Sequence, residues 1–195
     1  MEVFFDQEEF VVIDNGTAFI KAGFSGQDLP RLVIPTIMGE KVELIDPSMA
    51  QANATDQQEE RKSYVYGNEA FAQKSTYTTY QPIERGIIKK DNMEQMRLIW
   101  SHIFDELNLE TKNVNLLMTD SPFNTKDNRQ KIAEIMFDEF KVKSLQIMNT
   151  AALSMYSTGK VSGLVAESGE GITYTVPIFE GYALPHAMVK LEVAG

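Results

Sequence analysis

The chain has 195 residues, a formal net charge of −10, no cysteine and two histidines. The negative charge argues against direct binding to nucleic acid, whose backbone would repel it, and the lack of cysteine excludes disulfides, thiolate catalysis and cysteine-based zinc sites. With 43% hydrophobic and 24% charged residues, the composition predicts an ordinary folded protein with one good core or two small ones.

The start of the chain gives no sign of export. Residues 1–6 lack the basic start and the long apolar run of a signal peptide. No segment approaches the roughly 20 apolar residues that span a bilayer. We therefore expect an intracellular, cytoplasmic protein without a membrane partner.

The first predicted element is a β-hairpin. In residues 11–20 an apolar stretch leads to Asp14, a small polar residue, Gly16 and a second apolar stretch. This pattern predicts a tight turn that presents backbone N–H groups, with a carboxylate at its mouth. Residues 31–35 predict a further short strand that extends the same sheet.

A polar segment follows the first sheet. Residues 46–62 carry almost no core-forming side chains. We interpret them as an exposed insertion, for which a solvated loop is the simplest structure.

From residue 93 onward, apolar periodicity predicts helices that alternate with strands. In chain order we predict a helix over 93–107, a strand over 114–118, a helix with Asn124 as its N-cap and an apolar face over 132–140, a strand over 145–148, and a helix over 150–157 with Gly159 as its C′ residue. This alternation indicates an α/β fold with its helices packed on a mixed sheet.

The turn pattern returns in residues 164–173, with Glu167 as the acid and Gly169 as the glycine. Two such turns facing each other could hold a polyphosphate between them, with a divalent cation beside the acids. Residues 174–179 and 187–193 predict the next strands of a new sheet. That sheet has only begun when the sequence ends, so we expect a two-lobed protein whose second lobe is mostly absent. Either the sequence is a fragment or another surface covers the exposed edge.

A simpler interpretation of these residues stays open. Asp14 and Glu167 could be turn acids that accept local N–H bonds, as Asp often does. A lone lysine on an alternating strand, such as Lys21, more often faces solvent. The glycines are needed for turn geometry under either interpretation.

Several stretches of the sequence are distinctive: residues 14–16 with 21–26, residues 82–86, residues 128–129 with 135–137, and residues 177–187. Together they resemble the actin and actin-related protein family. The stretch over residues 177–187 is the longest and most specific of them. The resemblance extends from about residue 11 to residue 195, is weakest over residues 40–62, and covers the first half of a typical family member.

This resemblance implies an actin-like ATPase fold, which the family shares with sugar kinases and heat-shock chaperones. Residues 1–44 and 81–158 would form the first large lobe, residues 45–80 a small outer subdomain, and residues 159–195 the start of the second lobe. The repeated turn would then occur once in each lobe.

The resemblance also implies a ligand, ATP or ADP with Mg²⁺ or Ca²⁺, in the cleft between the lobes. Lys21 would pair with the phosphates, and Asp14 and Glu167 would hold the cation through its water shell, since these hard ions favour carboxylate and water oxygens. Backbone groups of two segments would hold the phosphates: Asn15, Gly16, Thr17 and Ala18 in the first, and Ser168, Gly169, Glu170 and Gly171 in the second.

The chain departs from the family at the positions that support hydrolysis. Family members orient the attacking water with a glutamine, helped by a histidine, and here these positions are Thr150 and Tyr174. Threonine is too short to reach the same water, and tyrosine, with an unperturbed pKa of about 10, cannot shuttle a proton near neutral pH. Because each of these functions is worth about 10²–10⁴ in rate, we expect a nucleotide binder that barely turns over.

The phosphate-binding turns differ as well. Glu167 and Glu170 stand where family members usually have aspartates, Ala18 stands where they have a glycine, and Arg85 where they often have a modified histidine. The longer acids and the added methyl group predict a site that is weakened without being abolished.

We therefore expect a divergent actin-like protein, an ATP-binding structural subunit of a cytoskeletal or other multiprotein assembly with weak or absent hydrolysis. Its partners would be other actin-like subunits or assembly proteins, and its location the cytoplasm and the cytoskeleton. Three alternatives stay open: a filament-forming actin ATPase, a phosphotransferase or chaperone-type ATPase of the same superfamily, and a partner-binding half-protein without nucleotide. The altered segment over residues 42–62 argues against the first, and the Leu184-Pro185-His186 context against the second.

Overall fold

The structure is a computed structural model that describes residues 9–44 and 60–194. The predicted insertion over 46–62 therefore lies almost entirely outside the described residues. Its last three residues, 60–62, form a strand and not a loop, because they pair with residues 42–44. Within the described ranges, no helix is long and apolar enough to cross a membrane.

The described residues alternate between strands and helices. The strands are β1 (Phe10–Asn15), β2 (Phe19–Phe24), β3 (Leu32–Pro35), β4 (Met38–Leu44), β5 (Glu60–Tyr66), β6 (Thr78–Tyr80), β7 (Ile83–Glu84), β8 (Ile87–Ile88), β9 (Asn115–Asp120), β10 (Ser144–Asn149), β11 (Gly163–Ser168), β12 (Thr173–Phe179), β13 (Tyr182–Ala183) and β14 (Val189–Leu191). The α-helices are α1 (Gly67–Ala72), α2 (Met93–Glu106), α3 (Lys126–Glu134) and α4 (Thr150–Ser157). A π-helical segment over Ile135–Glu139 continues α3.

The main sheet is mixed, as predicted, and contains the first hairpin. Its strand order is β10-β9-β1-β2-β3, in which β1, β9 and β10 are parallel and β2 is antiparallel to both β1 and β3. The hairpin predicted over 11–20 is confirmed, since Asp14 on β1 pairs with Lys21 on β2. The parallel strands end at one edge of the sheet, where Asn149 lies beside Asp120. This is the edge at which ligands bind in open α/β sheets.

Helix α2 supplies the centre of the main core. Its predicted apolar stripe is confirmed by the buried side chains of Met93, Met96, Ile99, Trp100, Ile103 and Phe104. They pack against buried residues of the sheet, including Ile13, Ile20 and Leu116. Burying each large apolar side chain contributes about 1.5–3 kcal/mol, so α2 forms although its N-cap residue, Asn92, makes no capping bond through its side chain.

The start of α3 differs from the prediction by one residue. Thr125 is the N-cap, because its Oγ1 accepts the backbone N–H of Asn128 at 3.2 Å. The predicted cap, Asn124, instead accepts the backbone N–H of Thr125 at 2.8 Å and the side-chain amide of Asn128 at 2.9 Å. Asn124 therefore closes the turn before the helix. The apolar face predicted over 132–140 is only partly α-helical, since the π-helical segment begins at Ile135.

The second sheet contains the repeated hairpin and packs on α4. Strands β11 and β12 are antiparallel, as predicted for residues 164–173, and β13 and β14 both pair with β12. Met155 of α4 forms a separate buried cluster with Val176 and Ile178 of β12. The second hairpin is thus held mainly by one helix and its own sheet.

Two local predictions near this sheet have different outcomes. Gly159 follows α4 as predicted, with φ of 72° and its N–H bonded to the carbonyl of Tyr156 at 2.9 Å. The strand predicted over 187–193 is shorter, because residues 185–187 form a 3₁₀ turn and only Val189–Leu191 pair with β12.

A smaller sheet that the sequence did not predict has the strand order β5-β4-β6 and packs against α1. Ile37, Val65 and Ala70 form its core. Its strands lie within residues 38–80, near the outer subdomain implied by the resemblance. The division of the chain into lobes stays a prediction.

Candidate functional site

The first turn, defined as residues 15–18, follows β1. A Cβ atom at Gly16 would lie 2.4 Å from the carbonyl oxygen of Phe19, so only glycine fits there. Two of the four backbone N–H groups already have partners: that of Asn15 donates to Thr119 Oγ1 at 3.0 Å, and that of Gly16 to the Asp14 carbonyl at 3.2 Å. The N–H groups of Thr17 and Ala18 are therefore this turn's candidates for binding an anion.

The core anchors the first turn through a tryptophan. Trp100 is fully buried on α2, and its Nε1–H donates to Asn15 Oδ1 at 3.1 Å. The hydroxyl of Thr36 donates to the carbonyl of Gly16 at 2.8 Å on the other side. The turn is thus held by helix α2 and by the short segment between β3 and β4.

The second turn, defined as residues 168–171, packs on the turn between β7 and β8. A Cβ atom at Gly171 would lie 2.8 Å from the Cα of Arg85, so the two backbones are in direct contact. The neighbouring Gly86 donates its N–H to Thr17 Oγ1 at 2.9 Å. The β7–β8 turn therefore touches both hairpin turns. Arg85 also pairs with Glu192 at 2.8 Å, across 107 positions of sequence.

A cleft of about 350 Å³ lies between the two turns. The predicted site residues that line it are Asp14, Asn15, Gly16, Thr17, Lys21, Thr150, Glu167, Ser168, Gly169, Glu170, Gly171 and Tyr174. Ala18 instead lines an adjoining cavity of about 460 Å³, which shares Thr17 and Glu170 with the cleft. The roles of these residues in binding stay predictions.

Asp14 is already engaged on both carboxylate oxygens. Its Oδ1 accepts the hydroxyl of Thr119 at 2.8 Å, and its Oδ2 accepts the ammonium of Lys21 at 3.0 Å. Thr119 reaches Asp14 because β9 runs parallel to β1, and Lys21 faces it across the hairpin. Lys21, which the resemblance assigns to the phosphates, thus pairs with Asp14 in this structure.

The two residues at the altered hydrolysis positions are bonded to each other. Thr150 Oγ1 lies 2.7 Å from the hydroxyl oxygen of Tyr174, and the Tyr174 hydroxyl donates to Glu167 Oε2. Burial, and after it the bond to Glu167, raises the pKa of the Tyr174 phenol above its usual value of about 10. The phenol therefore stays protonated at neutral pH and acts as a donor.

The charges in the cleft fit a phosphate ligand only if a cation comes with it. Among the described residues, Asp14, Glu167 and Glu170 line it together with one ammonium group, that of Lys21. A polyphosphate would be repelled by these acids unless a divalent ion balanced the charge. Within residues 9–44 and 60–194, no group of three or more His, Asp or Glu side chains forms a ready metal centre. The carboxylates of the cleft are of a kind that can bind Mg²⁺, an ion that keeps its waters and uses one or two carboxylates together with phosphate oxygens.

Sequence reasoning missed the polar residues that support the cleft. Ser154 donates to Glu167 Oε1 at 2.5 Å, the Thr119 hydroxyl donates to Asp14 Oδ1, and Ser121 lines the cleft wall. Ser154 had a usable signal, since it follows Thr150 by four residues on a predicted helix and so lies on the same face. Thr119 lay just beyond the predicted strand over 114–118, and nothing in the sequence linked it to the turn.

These features define an α/β protein with a cleft between two glycine-bearing hairpin turns, at the edge where its parallel strands end. The family model described as Actin matches residues 5–195 of the chain. The match covers nearly all of the sequence, so the chain belongs to the actin family.

Proposed function

We propose that this protein is a divergent actin-like subunit that holds ATP or ADP with Mg²⁺ or Ca²⁺ and hydrolyses it weakly or not at all. It would act as a structural component of a cytoskeletal or other multiprotein assembly in the cytoplasm. Its partners would be other actin-like subunits or assembly proteins, with no direct contact to nucleic acid or membrane. Family membership and the cleft between the turns support the nucleotide part of this proposal.

The observation that carries the proposal is the bond between Thr150 and Tyr174. A hydrolytic site needs a side chain that orients water and a group that accepts a proton. Here the hydroxyl groups of Thr150 and Tyr174 bond to each other, and Tyr174 donates to Glu167. Neither group is therefore arranged to orient water. The protonated phenol of Tyr174 cannot accept the proton of an attacking water near neutral pH.

The phosphates would be held in three ways, two of which use the chain's own groups. Backbone N–H groups of both turns would donate to phosphate oxygens. The Lys21 ammonium, whose side chain is 52% exposed, is able to turn from Asp14 to a phosphate. A divalent ion, when bound, would neutralise the phosphate charge beside the acids. In the lobe division that we propose, residues 1–44 and 81–158 contribute the first turn, and residues 159–195 the second.

A filament-forming actin ATPase is the second candidate. One observation favours self-association: the small sheet and α1 leave Val42, Leu44 and Phe71 48%, 64% and 53% exposed. Exposed apolar groups of this kind are common at contact surfaces between proteins. The cleft still argues for slow turnover, so filaments would form without rapid phosphate release.

Binding of the phosphate groups can be measured by calorimetry with Mg²⁺ and either ATP or inorganic tripolyphosphate. We expect Lys21→Met to weaken binding of both ligands about tenfold, since it removes the ammonium that lines the cleft in the described part of the chain. Lys112→Met is the matched control, because Lys112 forms an exposed ion pair with Glu110 at 3.4 Å and lies outside the cleft. Equal binding by wild type and Lys21→Met would contradict the phosphate assignment.

Hydrolysis and assembly need two further measurements. Phosphate release from ATP should stay at the background rate, and sedimentation with Mg²⁺ and salt should show no polymer. Polymer in the sediment would favour the filament-forming candidate, and phosphate release coupled to polymerisation would in addition contradict weak hydrolysis. Trp100 is the only tryptophan in the sequence and bonds Asn15, so a change in its fluorescence emission would report a ligand at the first turn.

A further inference from the structure

Glu167, the acid that precedes the second turn, accepts hydrogen bonds from two hydroxyl groups. Thr150 and Ser154 are four residues apart on α4, so their side chains share one face of the helix. Ser154 donates to Glu167 Oε1 at 2.5 Å, and Tyr174 donates to Glu167 Oε2. Each oxygen of this carboxylate therefore already accepts a bond from a protein donor.

The donor Tyr174 is itself fixed in place. It is 7% exposed, and its ring packs edge to face on Phe123, with the ring centroids 5.9 Å apart. A phenol has a single proton, which here goes to Glu167, so Thr150 must donate in its 2.7 Å bond to Tyr174. A directed chain of donors thus ends on Glu167. A carboxylate oxygen can accept a second bond, but these donors fix its orientation and reduce the charge available to an ion.

Asp14, the acid that precedes the first turn, is held by an ion pair that is easier to break. Lys21 and Asp14 are 52% and 34% exposed at their side chains, and exposed ion pairs contribute little free energy because solvent screens them. When Lys21 turns to a phosphate, Asp14 Oδ2 becomes free for the waters of a cation. The two acids of the repeated pattern are therefore not equivalent.

We propose that the cation of this cleft is held at Asp14, and that Glu167 instead serves as a fixed acceptor that joins α4 to the second hairpin. The proposal rests on the nucleotide-binding function proposed above and narrows its cation site from two acids to one. Tyr174 is then a positioning residue: its hydroxyl occupies Glu167 Oε2 and so sets the cation affinity.

The proposal is tested by removing the Tyr174 hydroxyl, which should increase the affinity of the protein for a cation. Tyr174→Phe keeps the ring and frees Glu167 Oε2 from a charge-assisted donor, so we expect Ca²⁺ to bind about tenfold more tightly. Ser154→Ala should free Oε1 and give a smaller gain, and it serves if Tyr174→Phe does not fold. The Ca²⁺ affinity is measured by competition with a fluorescent chelator, in the presence and absence of inorganic tripolyphosphate.

Three variants complete the design. Asp14→Asn should weaken Ca²⁺ binding at least tenfold, because it removes the charge of the proposed ligand. Glu167→Gln should leave the Ca²⁺ affinity within about twofold, yet lower the midpoint of thermal unfolding in EDTA, because the two hydroxyl donors lose a charged acceptor. Tyr156→Phe is the matched control, since it removes a phenol hydroxyl that donates to the Gly181 carbonyl at 3.3 Å, and it should leave the Ca²⁺ affinity unchanged.

The inference is overturned if Glu167→Gln weakens Ca²⁺ binding as much as Asp14→Asn, or if Tyr174→Phe leaves it unchanged or weaker. If the Ca²⁺ affinity depends on Asp14 but does not respond to Tyr174→Phe, this inference is contradicted while the proposed function stands. Absence of Ca²⁺ binding in wild type and all variants contradicts the proposed function as well. Unfolding of Glu167→Gln at the wild-type temperature in EDTA contradicts the joining role of Glu167.

Discussion

The two hairpin turns share a sequence pattern but are supported by different parts of the fold. The first turn follows β1, the middle strand of the main sheet, and bonds the buried Trp100. The second turn lies in a sheet that leaves Leu164 and Leu191 65% and 57% exposed, and hydroxyl groups of α4 and β12 hold its acid. A local pattern therefore specifies the turn, while its surroundings decide how firmly the turn is held. We expect the first turn to be coupled to global stability and the second to respond more to ligands.

Loss of the hydrogen bond between Trp100 and Asn15 should lower the free energy of unfolding more than any other change considered below. Trp100→Phe leaves Asn15 Oδ1 without its donor and creates a cavity in the main core, so we expect a loss of about 2–4 kcal/mol in the free energy of unfolding. Urea denaturation followed by circular dichroism measures it. A loss as small as that of Tyr174→Phe would show that the two turns are supported equally well.

The two turn glycines should differ in their tolerance of a methyl group. A Cβ at Gly16 would lie 2.4 Å from a backbone oxygen of Phe19, whereas at Gly169 the nearest atom outside its chain neighbours, the carbonyl oxygen of Ile172, is 3.9 Å away. We expect Gly16→Ala to cost about 1–3 kcal/mol of stability and Gly169→Ala to cost less than about 0.5 kcal/mol. Thermal unfolding of both variants checks this, and equal losses would remove the predicted difference.

The second hairpin should show its own dependence on pH. Because the pKa of Tyr174 is raised in the folded protein, the unfolded chain releases this proton first as the pH rises past about 10. The stabilising contribution is therefore fully present below about pH 10 and is lost progressively as the pH rises from there toward the raised pKa of the folded protein. Denaturation between about pH 9 and 11 should show a steeper fall in stability for wild type than for Tyr174→Phe. Parallel curves would indicate that Tyr174 does not contribute to this fall.

The ion pair between the β7–β8 turn and the second sheet should have the smallest effect. Arg85 and Glu192 are 51% and 55% exposed at their side chains, and such pairs contribute about 0–1 kcal/mol. A double-mutant cycle with Arg85→Ala and Glu192→Ala should give a coupling energy in this range. A larger coupling would mean that this contact, and not α4, holds the second hairpin in place.

The sequence determined the local elements of this protein. Alternating apolar strands around Gly16 and Gly169 predicted both hairpins, and apolar periodicity predicted α2 and α4, since strand and helix periods follow directly from backbone geometry. The short pattern could not decide between Asn124 and Thr125 as the N-cap, because both side chains are able to accept a backbone N–H. The small sheet was not predicted, because much of its region is polar.

Tertiary structure alone decided how the candidate site is held. Thr119 meets Asp14 across 105 positions of sequence, and Trp100 meets Asn15 across 85. Such contacts depend on strand register and helix packing, which no local pattern specifies. The charge of Glu167 could be predicted from the sequence, but its hydroxyl donors Ser154 and Tyr174 could not. Sequence thus supplied the acids and glycines of the cleft, and packing decided which protein groups bond to Asp14 and to Glu167.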